Sequence, residues 1–100
     1  MVVVAAIDCG SNSTRLLISE VNNGRLKKLF KTHKVTKTSQ GLEDSGRISN
    51  DSKKQLFNTL RNYLKIIKEY EADHILCIGT AVFRDAENSN EIIEEIKQKF

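Results

Sequence analysis

The chain has 100 residues, of which 39% are apolar, and its 16 basic and 13 acidic side chains leave a net charge of +3. This length suits one compact domain or part of one, and the apolar fraction excludes a disordered tail. The longest apolar run, Met1 to Ile7, is too short for a membrane span and lacks the basic start of a secretory signal. The slight positive charge is compatible with an anionic ligand, but the low aromatic content argues against a nucleic-acid surface.

Three strands are predicted in the first third of the chain. Val2 to Asp8 is a continuous apolar run, which predicts a central strand buried on both faces. After the turn formers of Cys9 to Ser13, a second strand is predicted over Thr14 to Asn22. Asn23-Gly24 then predicts a tight hairpin turn, because both residues tolerate a positive φ. The third strand, from Arg25 to about Lys37, is rich in lysine and is predicted to lie at an exposed edge of the sheet.

A long helix is predicted in the middle of the chain. Thr38 to Ile48 is expected to be a loop, and Ser49 is expected to be the N-cap of a helix over about Asn50 to Tyr70. Asp51 in the first turn complements the helix dipole. Apolar residues recur at helical spacing on one face of this helix: Leu56, Leu60, Tyr63, Leu64, Ile67 and Tyr70.

A fourth strand and a second helix complete the predicted elements. His74 to Ile78 is predicted to be a short buried strand, and Gly79 to Asn88 a turn with a helical start near Val82. The last helix is expected from about Ser89 to the end of the chain. Asn88 and Glu91 have the spacing of a capping box at the start of this helix.

These elements predict an α/β fold with a mixed sheet, in the order β-β-β-α-β-α. A hairpin meander followed by a helical crossover is the ribonuclease-H-like arrangement, in which the first and fourth strands are parallel neighbours. Since a fifth strand should follow in this topology, we expect residues 1–100 to be the N-terminal portion of a first, incomplete domain. Cys9 and Cys77 lie in apolar segments without metal-ligand spacing, which indicates buried, reduced thiols in a cytosolic protein.

The segment from Ile7 to Arg15 is the most informative for function. Here a predicted buried strand ends at Asp8, and a tight turn leads directly into the next strand. The N–H groups of such a turn can converge on an anion, while a carboxylate at the strand end can hold Mg²⁺ and an arginine can contact phosphate. The alternative is an ordinary hairpin turn in which Asp8 caps backbone amides. The candidate phosphate ligands are Gly10, Ser11, Asn12, Ser13 and Arg15, and the candidate metal ligand is Asp8.

Two further segments carry candidate residues. Thr80 to Asn88 leaves the carboxyl end of the predicted fourth strand, where ligands of open α/β sheets gather, so Arg84 could face the same cleft as the turn at Gly10. Alternatively, Arg84 and Asp85 pair locally and cap the following helix. Gly41 to Ser49 is a loop that closes onto a helix N-cap, and by itself it indicates little about function.

In this order and spacing, the three segments resemble the exopolyphosphatase and guanosine pentaphosphate phosphohydrolase family, a branch of the actin, hexokinase and chaperone ATPase superfamily. The hallmarks of that family are I-D-x-G-S-N-S-x-R-L, G-L-x-x-x-G-x-[IL]-S and T-[SA]-x-x-R-x-A-x-N. They correspond to Ile7–Leu16, Gly41–Ser49 and Thr80–Asn88. The departures are mild: Cys9 replaces an aliphatic residue, and Phe83 is bulkier than the residue usual in the family.

The resemblance implies a cleft between two ribonuclease-H-like domains and Mg²⁺-dependent hydrolysis of a terminal phosphoanhydride. In such enzymes Asn12 and the backbone of Gly10 to Ser13 would hold phosphoryl oxygens, and Arg84 would act as the catalytic arginine on the phosphate under attack. Arg15 would contact the polyphosphate chain or a nucleotide phosphate. The general base would be a glutamate beyond Phe100.

The predicted function is therefore that of a hydrolase that releases terminal phosphate from inorganic polyphosphate by attack of water, with the 100-residue chain alone inactive. Two alternatives stay open: guanosine pentaphosphate as the substrate, and a non-catalytic phosphate- or nucleotide-binding sensor module of the same superfamily. We expect a cytoplasmic protein with no nucleic-acid or membrane partner. Whether the full-length protein is a homodimer also stays open.

Overall fold

A computed structural model describes the backbone of residues 1–100 and the side chains of all of them except Glu43 and Ala81. It contains one four-stranded sheet and, on one face of it, two long and two short helices. The strands are β1 Val2–Cys9, β2 Ser13–Asn22, β3 Arg25–Val35 and β4 His74–Gly79, and the helices are α1 Leu42–Ser45, α2 Asn50–Glu69, α3 Ala81–Asp85 and α4 Ser89–Lys99. None of the helices described combines the length and apolar character needed to cross a membrane.

The strand order is β3-β2-β1-β4, which confirms the predicted mixed sheet. β1 pairs antiparallel with β2 and parallel with β4, while β2 and β3 form an antiparallel hairpin. Asn23 and Gly24 have φ angles of 52° and 76°, the positive values that a two-residue turn of this kind requires. The predicted hairpin and the parallel neighbours are both confirmed.

The core lies between the sheet and the helices. Residues that face each other in a ladder point to the same side of the sheet, and the pairs Ala5/Ile18 and Ile7/Leu16 are all buried on the helical side. On this side α2 and α4 meet where Phe57 and Phe100 form an edge-to-face ring pair. The buried apolar residues are Ala5, Ile7, Cys9, Leu16, Ile18, Ile48, Leu56, Phe57, Leu60, Tyr63, Ile67, Val82, Phe83, Ala86 and Ile92.

The prediction that β1 is buried on both faces is wrong. Alternate residues of β1 point away from the helices; Val4 and Ala6 among them are only half-buried, and Asp8 is exposed. The reason is that the described helices cover one face of the sheet, so the opposite face of β1 has no helix packed on it.

The prediction that residues 74–78 form a buried strand is also wrong. All six residues of β4 are exposed, and the exposed fractions of Ile75, Leu76 and Ile78 are 49%, 56% and 57%. β4 is one of the two edge strands of the sheet, and among the described strands it pairs with β1 alone. Cys77 is therefore exposed rather than buried, whereas Cys9 is buried as expected.

The ends of the two long helices follow the sequence signals in part. The Ser49 hydroxyl accepts a hydrogen bond from the Ser52 amide at 3.1 Å, which confirms Ser49 as the N-cap of α2. Phe57 is also buried, although the predicted apolar face did not include it. The predicted capping box of α4 is wrong, because the Asn88 side chain makes no capping bond there and instead binds the backbone of Ile48.

Candidate functional site

A tight bend connects β1 to β2 at residues 10–13. The Gly10 amide donates to the Ser13 carbonyl at 2.9 Å. A Cβ atom built on Gly10 would lie 2.9 Å from the same oxygen, which is closer than real Cβ atoms approach. Glycine is thus required for the bend, and the N–H of Gly10 is already used inside it.

The carbonyls of the bend are tied to the chain that follows β3. The Asn12 carbonyl accepts from the amides of Thr36 and Lys37, both at 3.0 Å. The Ser11 carbonyl accepts from the amide of Ser39 at 3.0 Å and from its hydroxyl at 3.1 Å. These bonds take the backbone out of the β2–β3 ladder, and β3 accordingly ends at Val35, two residues before the predicted end.

Two amides of the bend remain available for a ligand. Among the described residues, neither the Ser11 nor the Asn12 amide donates to a backbone carbonyl. In a planar trans peptide the C=O of one residue and the N–H of the next point in opposite directions. Because the Ser11 carbonyl points towards Ser39, the Asn12 N–H points away from that loop.

A chain of buried hydroxyl groups supports the bend from the helical side. The Thr36 Oγ1 atom lies 3.0 Å from Oγ1 of Thr14 and 3.1 Å from Oγ1 of Thr38, and all three side chains are fully buried. The Tyr63 hydroxyl of α2 donates to the Thr14 carbonyl at 2.6 Å. Burial raises the pKa of Tyr63, so the phenol stays protonated and keeps this bond. Ser52 Oγ, also on α2, donates to the Lys37 carbonyl at 3.0 Å.

These supporting threonines were not recognised from the sequence. Thr36 and Thr38 lie on either side of Lys37 near the predicted end of a lysine-rich strand. Two small polar residues at alternate positions were the only signal that one face of this segment is buried.

The segment after β4 begins directly beside the bend. Both the amide and the hydroxyl of Thr80 donate to the Cys9 carbonyl, at 3.2 and 3.3 Å. Arg84 follows in the last turn of α3 and is exposed. The alternative in which Arg84 pairs with Asp85 is not observed in the part of the chain that the structure describes.

The loop before α2 is attached to the same segment. The Asn88 side chain accepts from the Ile48 amide at 2.8 Å and donates to the Ile48 carbonyl at 2.9 Å. The Glu87 amide donates to the Gly46 carbonyl at 2.8 Å. The three segments singled out in the sequence therefore form one connected cluster at the carboxyl ends of β1 and β4.

Asp8 and Arg15 lie opposite each other in the β1–β2 ladder, one residue pair beyond Cys9 and Thr14. Both are exposed on the face of the sheet that points away from the helices. Within the described residues neither of them forms an ion pair. The Asp8 carboxylate and the Arg15 guanidinium therefore both lie near the bend.

The described residues provide few side chains that could bind a metal ion. No group of three or more His, Cys, Asp or Glu side chains that could hold an ion occurs among the described residues. Mg²⁺, however, is commonly held by one or two carboxylates together with water and substrate phosphates. The exposed carboxylate of Asp8 fits the role of a single ligand of that kind.

The fold belongs to the actin-like ATPase class, as comparison with solved structures shows. A crystal structure of the Ppx/GppA family member of Aquifex aeolicus has a TM-score of 0.94 to this chain at 28% identity, covering 98% of this chain and 32% of that one. An exopolyphosphatase from Cytophaga hutchinsonii has a TM-score of 0.91 at 26% identity, with 97% and 31% covered.

Residues 17–100 match the model of the Ppx/GppA phosphatase family, and the chain belongs to that family. It is 30% identical over 89 residues to exopolyphosphatase 2 of Mycobacterium tuberculosis, which covers 85% of this chain and 28% of the relative. It is 31% identical over 94 residues to a guanosine-5'-triphosphate,3'-diphosphate pyrophosphatase of Aeromonas hydrophila, covering 94% of this chain and 19% of the relative. The chain thus spans less than a third of the length of these relatives.

Proposed function

We propose that this chain is the phosphate-binding part of a hydrolase that releases terminal phosphate from inorganic polyphosphate. A protein of the relatives' length that contains this chain is called the extended protein below. The observation that carries the proposal is the bend of residues 10–13, where the Ser11 and Asn12 amides have no backbone acceptor among the described residues. The names of the relatives as exopolyphosphatases support the choice of substrate.

The roles of the residues follow from the charge of the substrate. Phosphoryl transfer depends mainly on positioning and on offsetting negative charge in the transition state. The Ser11 and Asn12 amides and the Asn12 side chain would hold oxygens of the terminal phosphate. Arg84 would offset the charge that develops on this phosphate, and Arg15 would contact the next phosphates of the chain.

A divalent cation completes the proposed site. Asp8 would hold Mg²⁺ as its single protein ligand from this chain, and the bound ion would supply further positive charge to the phosphate oxygens. Among the described residues, the glutamates on and before α4 lie near basic side chains: Glu87 and Glu91 are 3.9 and 3.8 Å from Arg47, Glu94 is 3.7 Å from Lys97, and Glu95 is 3.1 Å from Lys53. As the resemblance to the family implies, the general base would be a glutamate outside residues 1–100.

Guanosine pentaphosphate is the second candidate substrate. The name of the Aeromonas hydrophila relative favours it, and its phosphoanhydrides would present the same oxygens to the bend. Contacts to the guanosine would have to come from outside this chain. Phosphate release from each substrate alone and in competition, measured with the extended protein, decides between the two.

The catalytic role of Arg84 is tested in the extended protein. Arg84→Ala should lower kcat/KM for polyphosphate about 10²-fold, as expected when a donor to developing charge is removed. The matched control is Arg25→Ala, because Arg25 is also exposed but lies at the far end of the β2–β3 hairpin. A normally folded Arg84→Ala protein with unchanged kcat/KM would refute the role. If the unmutated extended protein bound polyphosphate without releasing phosphate, the sensor alternative would be supported.

A further inference from the structure

The two cysteines of the chain meet at the ends of neighbouring strands. Cys9 lies on β1 and Cys77 on β4, and their Sγ atoms are 3.8 Å apart although 68 positions separate them in the sequence. The parallel register pairs Ile7 with Cys77 and Cys9 with Gly79. Both thiols consequently point to the helical face and are diagonal neighbours on it.

The two thiols differ in access. Cys9 is buried, with 2% of its surface exposed, whereas Cys77 is exposed. A cavity of about 220 Å³ opens beside them, lined by both cysteines, Phe83 and residues of α4. In the 100-residue chain a small oxidant can therefore reach Cys77 from solvent, while Cys9 contacts Cys77 and has only 2% of its surface exposed.

The strand that carries Cys77 lies at an edge of the sheet. A disulfide has an S–S length of about 2.0 Å, so the two sulfur atoms must approach by a further ~1.8 Å. Of the strands that the structure describes, β1 alone pairs with β4. Disulfide formation therefore requires rotation of the Cys77 side chain together with a shift of this edge strand towards β1.

We propose that Cys9 and Cys77 form an oxidation-sensitive thiol pair in which hydrogen peroxide modifies Cys77 first and Cys9 then closes a disulfide between β1 and β4. In the first step the Cys77 sulfur attacks one peroxide oxygen, the O–O bond breaks, and a sulfenic acid and water form. In the second step the Cys9 sulfur attacks the sulfenic sulfur and a second water leaves. Two thiols are oxidised and one hydrogen peroxide is reduced to two waters.

Trypsin digestion followed by mass spectrometry can detect a disulfide between Cys9 and Cys77. Trypsin cuts after Arg15, Lys68 and Arg84, so Cys9 and Cys77 fall in two separate peptides, 1–15 and 69–84. The reduced 100-residue chain is treated with stoichiometric hydrogen peroxide, alkylated, digested without reductant and analysed by mass spectrometry. We expect a monomer that has lost two hydrogen atoms, a cross-link between peptides 1–15 and 69–84, and loss of both after dithiothreitol.

Two single variants test the order of events. In Cys9→Ala, dimedone should trap a sulfenic acid at Cys77, and in Cys77→Ala the buried Cys9 should react at least about tenfold more slowly. Since Cys77 is exposed, the Cys77→Ala protein is expected to fold normally even if Cys9→Ala does not. The proposal is overturned if the unmutated chain yields only intermolecular dimers or separately oxidised cysteines, or if Cys9 reacts as fast as Cys77.

Discussion

Gly10 determines whether the bend after β1 can form at all. A methyl group at this position would meet the Ser13 carbonyl at 2.9 Å, and the amide of Gly10 already donates to that oxygen. The neighbouring residues then differ in what they can bind, because Ser11 and Asn12 direct their carbonyls towards residues 36–39. At the scale of the residue, the proposed phosphate site therefore consists of the Ser11 and Asn12 amides.

Gly10→Ala should destabilise the chain by about 1–3 kcal/mol, the usual cost of forcing an extra methyl group into a packed position. Chemical denaturation of the 100-residue chain measures this change. The matched control is Ser11→Ala, which keeps every backbone amide of the bend and should alter the free energy of unfolding by less than about 0.5 kcal/mol. Equal stabilities for Gly10→Ala and the unmutated chain would contradict the tight bend.

The reactivity of Cys77 should depend on pH in the neutral range. The hydrogen bond from the Cys9 thiol lowers the pKa of Cys77 to about 7, although partial burial and the Asp8 carboxylate act in the opposite direction. The reactive thiolate fraction therefore rises as the pH increases through this value. Alkylation by iodoacetamide should show a midpoint near pH 7, and in Cys9→Ala the midpoint should move towards about 8.5, the value of an unperturbed thiol.

The sequence indicated where the candidate residues stand along the chain but not what they contact. The sequence predicts the turn after Asp8 and the position of Arg84 after β4, because strand ends and turn residues are local signals. The contact between Cys9 and Cys77 was not, since it depends on the register of two strands far apart in sequence. The burial of Thr36 was missed for the same reason.

At the scale of the elements, backbone bonds between loops hold the three motif segments together. Thr80 binds the end of β1 through the Cys9 carbonyl, and Asn88 binds the loop before α2 through Ile48. The Asn88 side chain satisfies both the amide and the carbonyl of Ile48, so its loss would leave two backbone groups without partners.

Asn88→Ala should therefore destabilise the chain by about 1–3 kcal/mol, the cost of leaving buried polar groups unsatisfied. Asn90→Ala is the matched control, because Asn90 is exposed in the first turn of α4, two residues after Asn88, and alanine is a good helix former. Urea unfolding of both variants checks the difference. If Asn90→Ala lowered the stability as much as Asn88→Ala, the bonds to Ile48 would not be the cause.

The elements were predicted better than their environments. The hairpin and the N-cap at Ser49 follow from local patterns, the parallel pairing of β1 with β4 follows from the predicted order of the elements, and all three were confirmed. The predicted capping box at Asn88 is wrong, because the Asn88 side chain binds the backbone of Ile48 instead of an amide in the first turn of α4. The prediction that β4 is buried is wrong, because an apolar run does not indicate whether the strand it forms lies in the middle or at the edge of a sheet.

At the scale of the whole molecule, the described helices pack on one face of the sheet, and Asp8 and Arg15 lie on the other face. The chain covers between 19% and 32% of the relatives compared above. In the proposed site the phosphate-binding bend and Arg84 come from this chain, and the general base would come from the rest of the extended protein.

The 100-residue chain alone should accordingly release no phosphate from polyphosphate, whereas the extended protein should do so in the presence of Mg²⁺. A malachite-green assay of both proteins at equal concentration measures the difference, and chelation of Mg²⁺ should abolish the activity of the extended protein. Turnover by the isolated chain that depends on Mg²⁺ would show that the general base lies within residues 1–100.

The central claim is that the bend of residues 10–13 holds phosphate through the backbone amides of Ser11 and Asn12. Titration of the ¹⁵N-labelled chain with tripolyphosphate, followed by amide NMR spectra, tests it most directly. The account predicts that the Ser11 and Asn12 amide signals shift most, and that Asn12→Asp, which adds a like charge, removes the effect. Unchanged Ser11 and Asn12 signals, with or without shifts at the lysines of β3, would contradict it.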